Sequence, residues 1–254
     1  MKLLKVICLV TFACVLTFGQ TVPAADSEPP FNWTGPYVGI HVGYGWGDTD
    51  TSFSPLPSAA RFSNLAPATL SPNTNGVAAG IQGGYNYQMG CFVVGIEADF
   101  SGSGMSGTQT VSPIIQSNGT ALPGGGSLTA HQEINWFGTL RPRLGYAVTP
   151  GLLIYGTGGL AYGDVSYSAN TDFRPGFTAY YPASAGETKV GWSLGAGVEY
   201  AFSRNWTVKT EYLRVDLGNE SVTANPNIAL PPFQVGYKFE TSANILNIGL
   251  NYRF

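Results

Sequence analysis

The chain has 254 residues, of which only 11% are charged while 13% are aromatic and 34 are glycine, a balance foreign to most soluble enzymes. Twelve basic residues against 15 acidic ones leave it mildly acidic, with no basic footprint for a nucleic-acid partner. His41 and His131 lie far apart and Cys8 and Cys14 fall in the N-terminal leader, so no metal cluster is expected and Cys91 has no partner for an internal disulfide.

Lys2 and Lys5 precede an apolar stretch over residues 6–19, too short for a stable transmembrane helix and shaped like a secretory leader. Val22-Pro23-Ala24 is an acceptable cleavage site, so residues 1–24 are expected to be a cleaved signal peptide. Thr11-Phe12-Ala13 is a poor approach to a lipidated Cys14. Residues 25–36 form a short polar, proline-containing lead, and residues 37–254 read as one domain. Beyond the leader no apolar run reaches about eighteen residues, which excludes a helical membrane protein.

Period-two alternation then recurs eight times. In residues 37–47, Val38, Ile40, Val42, Tyr44 and Trp46 share one face, with Tyr37, Gly39, His41, Gly43 and Gly45 on the other. Residues 76–88 place Val77, Ala79, Ile81, Tyr85 and Tyr87 outward and Gly80, Gln82, Gly84 and Asn86 inward. In residues 91–101, Phe92, Val94, Ile96, Ala98 and Phe100 alternate with Cys91, Val93, Gly95, Glu97 and Asp99. In residues 134–148, Leu140, Pro142, Leu144 and Tyr146 alternate with Thr139, Arg141, Arg143 and Gly145. Pro142 predicts a bulge or a lost ladder bond, since a barrel strand has a neighbour on each side.

Residues 152–167 form a fifth strand whose faces are blurred by Gly156, Gly158 and Gly159. The sixth, residues 189–202, opposes Trp192, Leu194, Ala196, Val198, Tyr200 and Phe202 to Gly191, Ser193, Gly195, Gly197, Glu199 and Ala201. The seventh, residues 206–216, opposes Trp206, Val208 and Tyr212 to Thr207, Lys209 and Glu211. The eighth begins near Lys238 and sets Leu246, Ile248, Leu250, Tyr252 and Phe254 against Ile245, Asn247, Gly249, Asn251 and Arg253. Links after the second, fourth and sixth strands are short; those after the first, third, fifth and seventh are long and rich in Ser, Asn, Thr, Pro and Gly. The expected fold is all-β: an eight-stranded antiparallel transmembrane β-barrel with short periplasmic turns and four long extracellular loops. A barrel of that size has its lumen filled by side chains.

The inward charges are His41, Glu97, Asp99, Arg141, Arg143, Glu199, Lys209, Glu211 and Arg253. Glu97 and Asp99, at i,i+2, could serve as a carboxylate pair for acid–base work. Arg141 and Arg143 share that spacing and would neutralise them. No nucleophile accompanies the carboxylates and no membrane-facing Ser and His pair stands together, so neither a catalytic site nor a cofactor is expected. A salt-bridge network filling a narrow lumen is the expected role. The outward aromatics, among them Tyr44, Trp46, Trp136, Tyr200 and Trp206, suit interfacial girdles.

The final strand resembles the closing strand of a bacterial outer-membrane β-barrel, and that resemblance implies that Tyr252 and Phe254 form an assembly signal. Larger stretches carry the likeness further: Trp33-Thr34-Gly35-Pro36-Tyr37-Val38-Gly39, Gly95-Ile96-Glu97-Ala98-Asp99-Phe100 and Trp136-Phe137-Gly138-Thr139-Leu140-Arg141-Pro142-Arg143-Leu144-Gly145-Tyr146. Tyr155-Gly156-Thr157-Gly158-Gly159-Leu160-Ala161-Tyr162-Gly163, Gly191-Trp192 with Gly195-Ala196-Gly197-Val198-Glu199-Tyr200, and Lys209-Thr210-Glu211-Tyr212 extend it. Together they resemble the small outer-membrane immunogenic-protein and porin family of α-proteobacteria, within the wider OmpA-like barrels. Pro142 departs from the glycine expected between the two arginines.

The resemblance implies a structural, surface-exposed protein of the bacterial outer membrane. Its partners would be outer-membrane lipid, the barrel assembly machinery and a host or small-molecule ligand at the loops. The alternatives are a small-solute porin and a loop-borne haem or host-ligand receptor, for which His131 is the only obvious axial ligand in the loops.

Overall fold

The computed structural model describes residues 31–48, 51–55, 68–70, 72–116, 118–174, 180–225, 227 and 234–254. The expected signal peptide and the first part of the lead lie outside these residues. The described chain is built from strands: β1 (Gly35–Asp48), β2 (Thr51–Pro55), β3 (Ala68–Leu70), β4 (Asn73–Met89), β5 (Phe92–Val111), β6 (Ser127–Thr149), β7 (Leu152–Asp172), β8 (Tyr180–Ala201), β9 (Trp206–Ala224) and β10 (Val235–Arg253).

Eight of them close a ring. β1 pairs with β4, each strand from β4 to β10 pairs with the next, and β10 returns to β1 from Tyr37↔Arg253 to Trp46↔Asn244. β2 and β3 add no stave. β2 pairs with Val235–Phe239 of β10, above the point where β1 leaves it, and so prolongs the path of β1; β3 turns back along β2 ahead of β4. At one end the strands are joined by tight turns at Gly90-Cys91, Pro150-Gly151 and residues 202–205. Gly90 has φ +62°, a conformation that favours a residue without Cβ. Cys91 lies in that turn and is exposed, rather than taking an inward place in the strand.

The outward rows of β1, β4, β6, β8, β9 and β10 are the ones the alternation predicts, and they form an exposed apolar band from Val38 to Phe254. The faces of β7 are now assigned: Leu153, Tyr155, Thr157 and Ala161 point inward, while Ile154 and Leu160 point outward. At Pro142 the expected loss of pairing occurs without a bulge. The β6–β7 ladder lapses between Leu140↔Leu160 and Arg143↔Thr157 and resumes in the same register, and the Thr157 hydroxyl donates to the Pro142 carbonyl at 2.9 Å.

The strands are longer than the alternation suggests. β6 has 23 residues and β8 has 22, where about ten suffice to cross a bilayer at a tilt. The surplus lies at the end of the long connections, where the sidedness inverts. On β9 the inward series runs Thr207, Lys209, Glu211 and then Leu213, Val215, Leu217, while the outward series runs Trp206, Val208, Tyr212 and then Arg214, Asp216. On β7 the outward Leu160 and Tyr162 give way to Asp164, Ser166 and Ser168, over inward Val165, Tyr167 and Ala169. Lipid surrounds the lower part and water the upper part, so each part shows the face its solvent favours.

In the upper part the ring opens into two facing sheets. β8 pairs with β9 only from Ala201↔Thr207 up to Trp192↔Asp216; above that, β8 pairs with β7 alone and β9 with β10 alone. One sheet comprises the upper ends of β5, β6, β7 and β8; the other comprises those of β9 and β10 with β2 and β3. An apolar core lies between them, with Leu128, Val165, Tyr167 and Tyr181 from the first sheet and Leu217, Val235, Tyr237 and Phe239 from the second. Ile114 and Leu122, from the chain between β5 and β6, cap it. The β8–β9 seam is bridged by the Lys189–Glu220 ion pair and, at its top, by the Asn227 amide donating to the Tyr180 carbonyl at 3.0 Å.

Candidate functional site

Alternation drives charged side chains into the lower lumen, because an arginine facing lipid near the midplane costs about 2–4 kcal/mol. β5 supplies Glu97 and Asp99, β6 supplies Arg141 and Arg143, β8 supplies Glu199, and β9 supplies Lys209 and Glu211; all are buried. Their atoms meet across the lumen. Lys209 Nζ lies 2.9 and 3.0 Å from the two Glu97 oxygens. Arg141 contacts Glu97 at 2.9 Å, Asp99 at 2.9 Å and Glu211 at 3.0 Å. Arg143 pairs with Glu199 and lies 3.8 Å from Glu97. Arg253 takes other partners: its guanidinium donates to the carbonyls of Asn32 at 2.5 Å and Thr34 at 2.8 Å, and lies 4.6 Å from the Phe31 ring centroid. It clasps the lead at the short-turn rim and makes no ion pair with the other charges among the described residues.

Neutral groups complete the network. Tyr37 donates to Glu97 at 2.7 Å, and Tyr155 donates to Glu211 at 3.0 Å beneath the Arg143 guanidinium, which lies 3.6 Å from its ring centroid. Thr139 donates to Asp99, Thr207 to Glu199 at 2.5 Å, and Asn251 to Glu199 at 2.9 Å. Two inward glycines make room for the tyrosines. A Cβ on Gly84 would lie 2.5 Å from the Tyr37 hydroxyl, and one on Gly197 would lie 2.5 Å from that of Tyr155. Tyr37 has the inward parity that marks it as lumen-facing; Tyr155 sits in the glycine-blurred strand, where parity gives no signal.

The charges occupy one layer of three. Below it, Trp33, Val93, Leu153 and Tyr155 pack as a small apolar plug, and the Trp33 indole donates to the Pro150 carbonyl at 3.1 Å. Above it, His41 meets the Ser101 hydroxyl at 2.8 Å, and Gln132 donates to Thr241 at 3.1 Å before the apolar core begins. Each carboxylate in the layer is hydrogen-bonded or ion-paired. Among the described residues no group of three or more His, Cys, Asp or Glu could hold a metal ion. His131, placed by the sequence in a loop, is instead within β6, with its Nδ1 2.8 Å from the Thr108 hydroxyl.

A family model for the "Outer membrane protein beta-barrel domain" matches residues 10–254. The chain is 37% identical over 243 residues to the 31 kDa outer-membrane immunogenic protein of Brucella melitensis, covering 95% of this chain and 92% of that protein. It is 26% identical to the 25 kDa outer-membrane immunogenic protein of Brucella abortus, with both chains covered in full. Among solved structures it is similar to the outer membrane protein OprG of Pseudomonas aeruginosa, with a TM-score of 0.49 and 12% identity, covering 89% of this chain and 99% of that one.

Proposed function

The chain belongs to this outer-membrane β-barrel family, whose members include immunogenic proteins of the bacterial outer membrane, and from that premise we propose that it is a structural, surface-exposed barrel contributing to envelope integrity and surface contacts. One observation carries the reading over that of a small-solute porin: the lumen is filled across its section by Glu97, Arg141, Arg143, Glu199, Lys209 and Glu211, each no more than 2% exposed. Side chains buried in mutual hydrogen bonds and ion pairs oppose a water path, since opening one would separate paired charges in a low-dielectric wall. The network serves to fill and brace the barrel, not to catalyse. Single-channel recording in planar bilayers tests this: the purified protein gives no stable openings, and sustained ohmic steps would transfer the assignment to a porin.

We also propose that Tyr252 and Phe254 act as the recognition signal for the barrel assembly machinery. Their rings stand 5.3 Å apart on the lipid face of β10, and Phe254 is the more exposed. Deleting Phe254 lowers outer-membrane levels and raises periplasmic degradation. Unchanged amounts of heat-modifiable barrel in the membrane fraction would rule the role out.

A further inference from the structure

We propose that an outer-wall pocket above the external aromatic belt binds the phosphorylated sugar headgroup of an outer-leaflet glycolipid, with Arg214 on the phosphate. The pocket is made by a bulge. The β9–β10 register shifts between Glu240 and Ser242, opposite Asn219 and Asp216, and Gly218 takes φ +77°, the left-handed conformation that such a bulge needs. The extra residue on β9 opens a concavity of about 390 Å³ lined by Arg214, Asp216, Asn219, Glu240, Ser242 and Asn244.

Its height follows from the strand. Tyr212 is two residues below Arg214 on the same outward face, so the guanidinium starts about 7 Å higher. The Tyr212 ring is 6.4 Å from that of Trp46, and its hydroxyl donates to Asn244 at 2.7 Å. Exposed Trp and Tyr side chains mark the membrane–water interface. The pocket therefore opens at the level of lipid headgroups on the side of the long connections, which in this family faces out.

The charges in the pocket are unequally engaged. Asp216 Oδ1 accepts the Gly218 amide at 2.9 Å and stabilises the bulge, while Glu240 is paired with Lys238 at 2.8 Å. Arg214 makes only long hydrogen bonds to neutral groups, 3.3 Å to Asn244 and 3.4 Å to Ser242, and no ion pair among the described residues. A guanidinium so placed is suited to a phosphate oxygen pair, which it can grip with two parallel hydrogen bonds. The amides of Asn219 and Asn244 and the Ser242 hydroxyl supply both donors and acceptors, the complement of a sugar ring rather than of a bare phosphate.

The site depends on the location in the outer membrane and not on the closed lumen, so it stands or falls apart from the conductance result. Native mass spectrometry of the full chain in detergent micelles tests it. The probes are a phosphorylated glucosamine-disaccharide lipid, its dephosphorylated form, phosphatidylglycerol and free glucosamine phosphate. Wild type retains the phosphorylated glycolipid, and Arg214→Gln loses roughly tenfold or more of that retention. Arg174→Gln, which removes one exposed charge elsewhere, retains it. If Arg214→Gln does not fold, Asn219→Leu on the opposite wall carries the same expectation. Unchanged retention in the pocket variant, equal loss in Arg174→Gln, or equal retention of the dephosphorylated lipid or phosphatidylglycerol would each overturn the proposal. Equal competition by free glucosamine phosphate would also overturn it, by assigning the pocket to a soluble sugar phosphate.

Discussion

Glu97 binds one lysine, two arginines and a tyrosine, and these partners are held by three other strands, β9, β6 and β1. The layer has three cations against four carboxylates, so the loss of any cation leaves a buried negative charge short of a partner. Lys209→Met should therefore destabilise the barrel by roughly 3–5 kcal/mol, and adding Glu97→Gln should recover part of that loss. Urea unfolding of refolded protein in micelles measures both; a double variant less stable than the single one would contradict the account. In the water-exposed upper part, burial pushes the Tyr237 hydroxyl up to about 12, from 10.0 when free. A raised acid favours the folded state below pH 10 and withdraws that advantage as pH rises toward 12. Stability should fall by roughly 2–3 kcal/mol across that window, and Tyr237→Phe should flatten the slope. An identical alkaline slope in the variant would remove Tyr237 as its source. The inward direction of Arg141 and Arg143 was legible from the apolar row of Leu140, Pro142 and Leu144. Their partners were not, since alternation gives the side of a wall and not the angle around it. Arg253 shares the inward parity but lies at the rim, within reach of the carbonyls of Asn32 and Thr34.

At the scale of the strand, the boundaries were well placed at the short turns and poorly placed at the far ends. Tight turns announce themselves through Met89-Gly90, Thr149-Pro150-Gly151 and Ser203-Arg204-Asn205. The upper strands do not, because their outward faces carry Ser106, Thr108, Ser166, Ser168, Ser184 and Asn219, residue types that also compose loops. Residues 164–171 still alternate, but with the sides exchanged, and a reading that seeks apolar residues facing lipid stops there. The open β8–β9 seam has a dynamic consequence. From Tyr181 to Gly191, β8 has a ladder partner on one side only, whereas the facing residues of β7 have one on each. Hydrogen exchange should accordingly be faster, by at least about tenfold, for the seam-facing amides of β8 and of β9 above Asp216 than for β7 amides at the same height. Equal protection would mean that the seam is closed by a ladder absent from this arrangement.

Over the whole molecule, the strands serve two solvents, and six of them, β5 to β10, run from one into the other. The lower ring keeps its charges inside and its apolar rows toward lipid; the upper sandwich keeps apolar residues inside and polar ones toward water. The ring was legible because eight alternating segments with short and long links admit few other closures. The sandwich was not, because its core is assembled from residues such as Ile114, Leu122, Leu128 and Tyr237, scattered over the stretches that read as loops. Continuity between the two parts has a mechanical consequence. Strands of 19 to 23 residues from β5 to β10 run from the sandwich into the ring without a hinge. A pull on the cell-surface end loads them along their axes, and many ladder hydrogen bonds, set across the direction of force, must shear together before a stave can slide. Tension at the surface is thus shared around the anchored base instead of peeling one hairpin at a time.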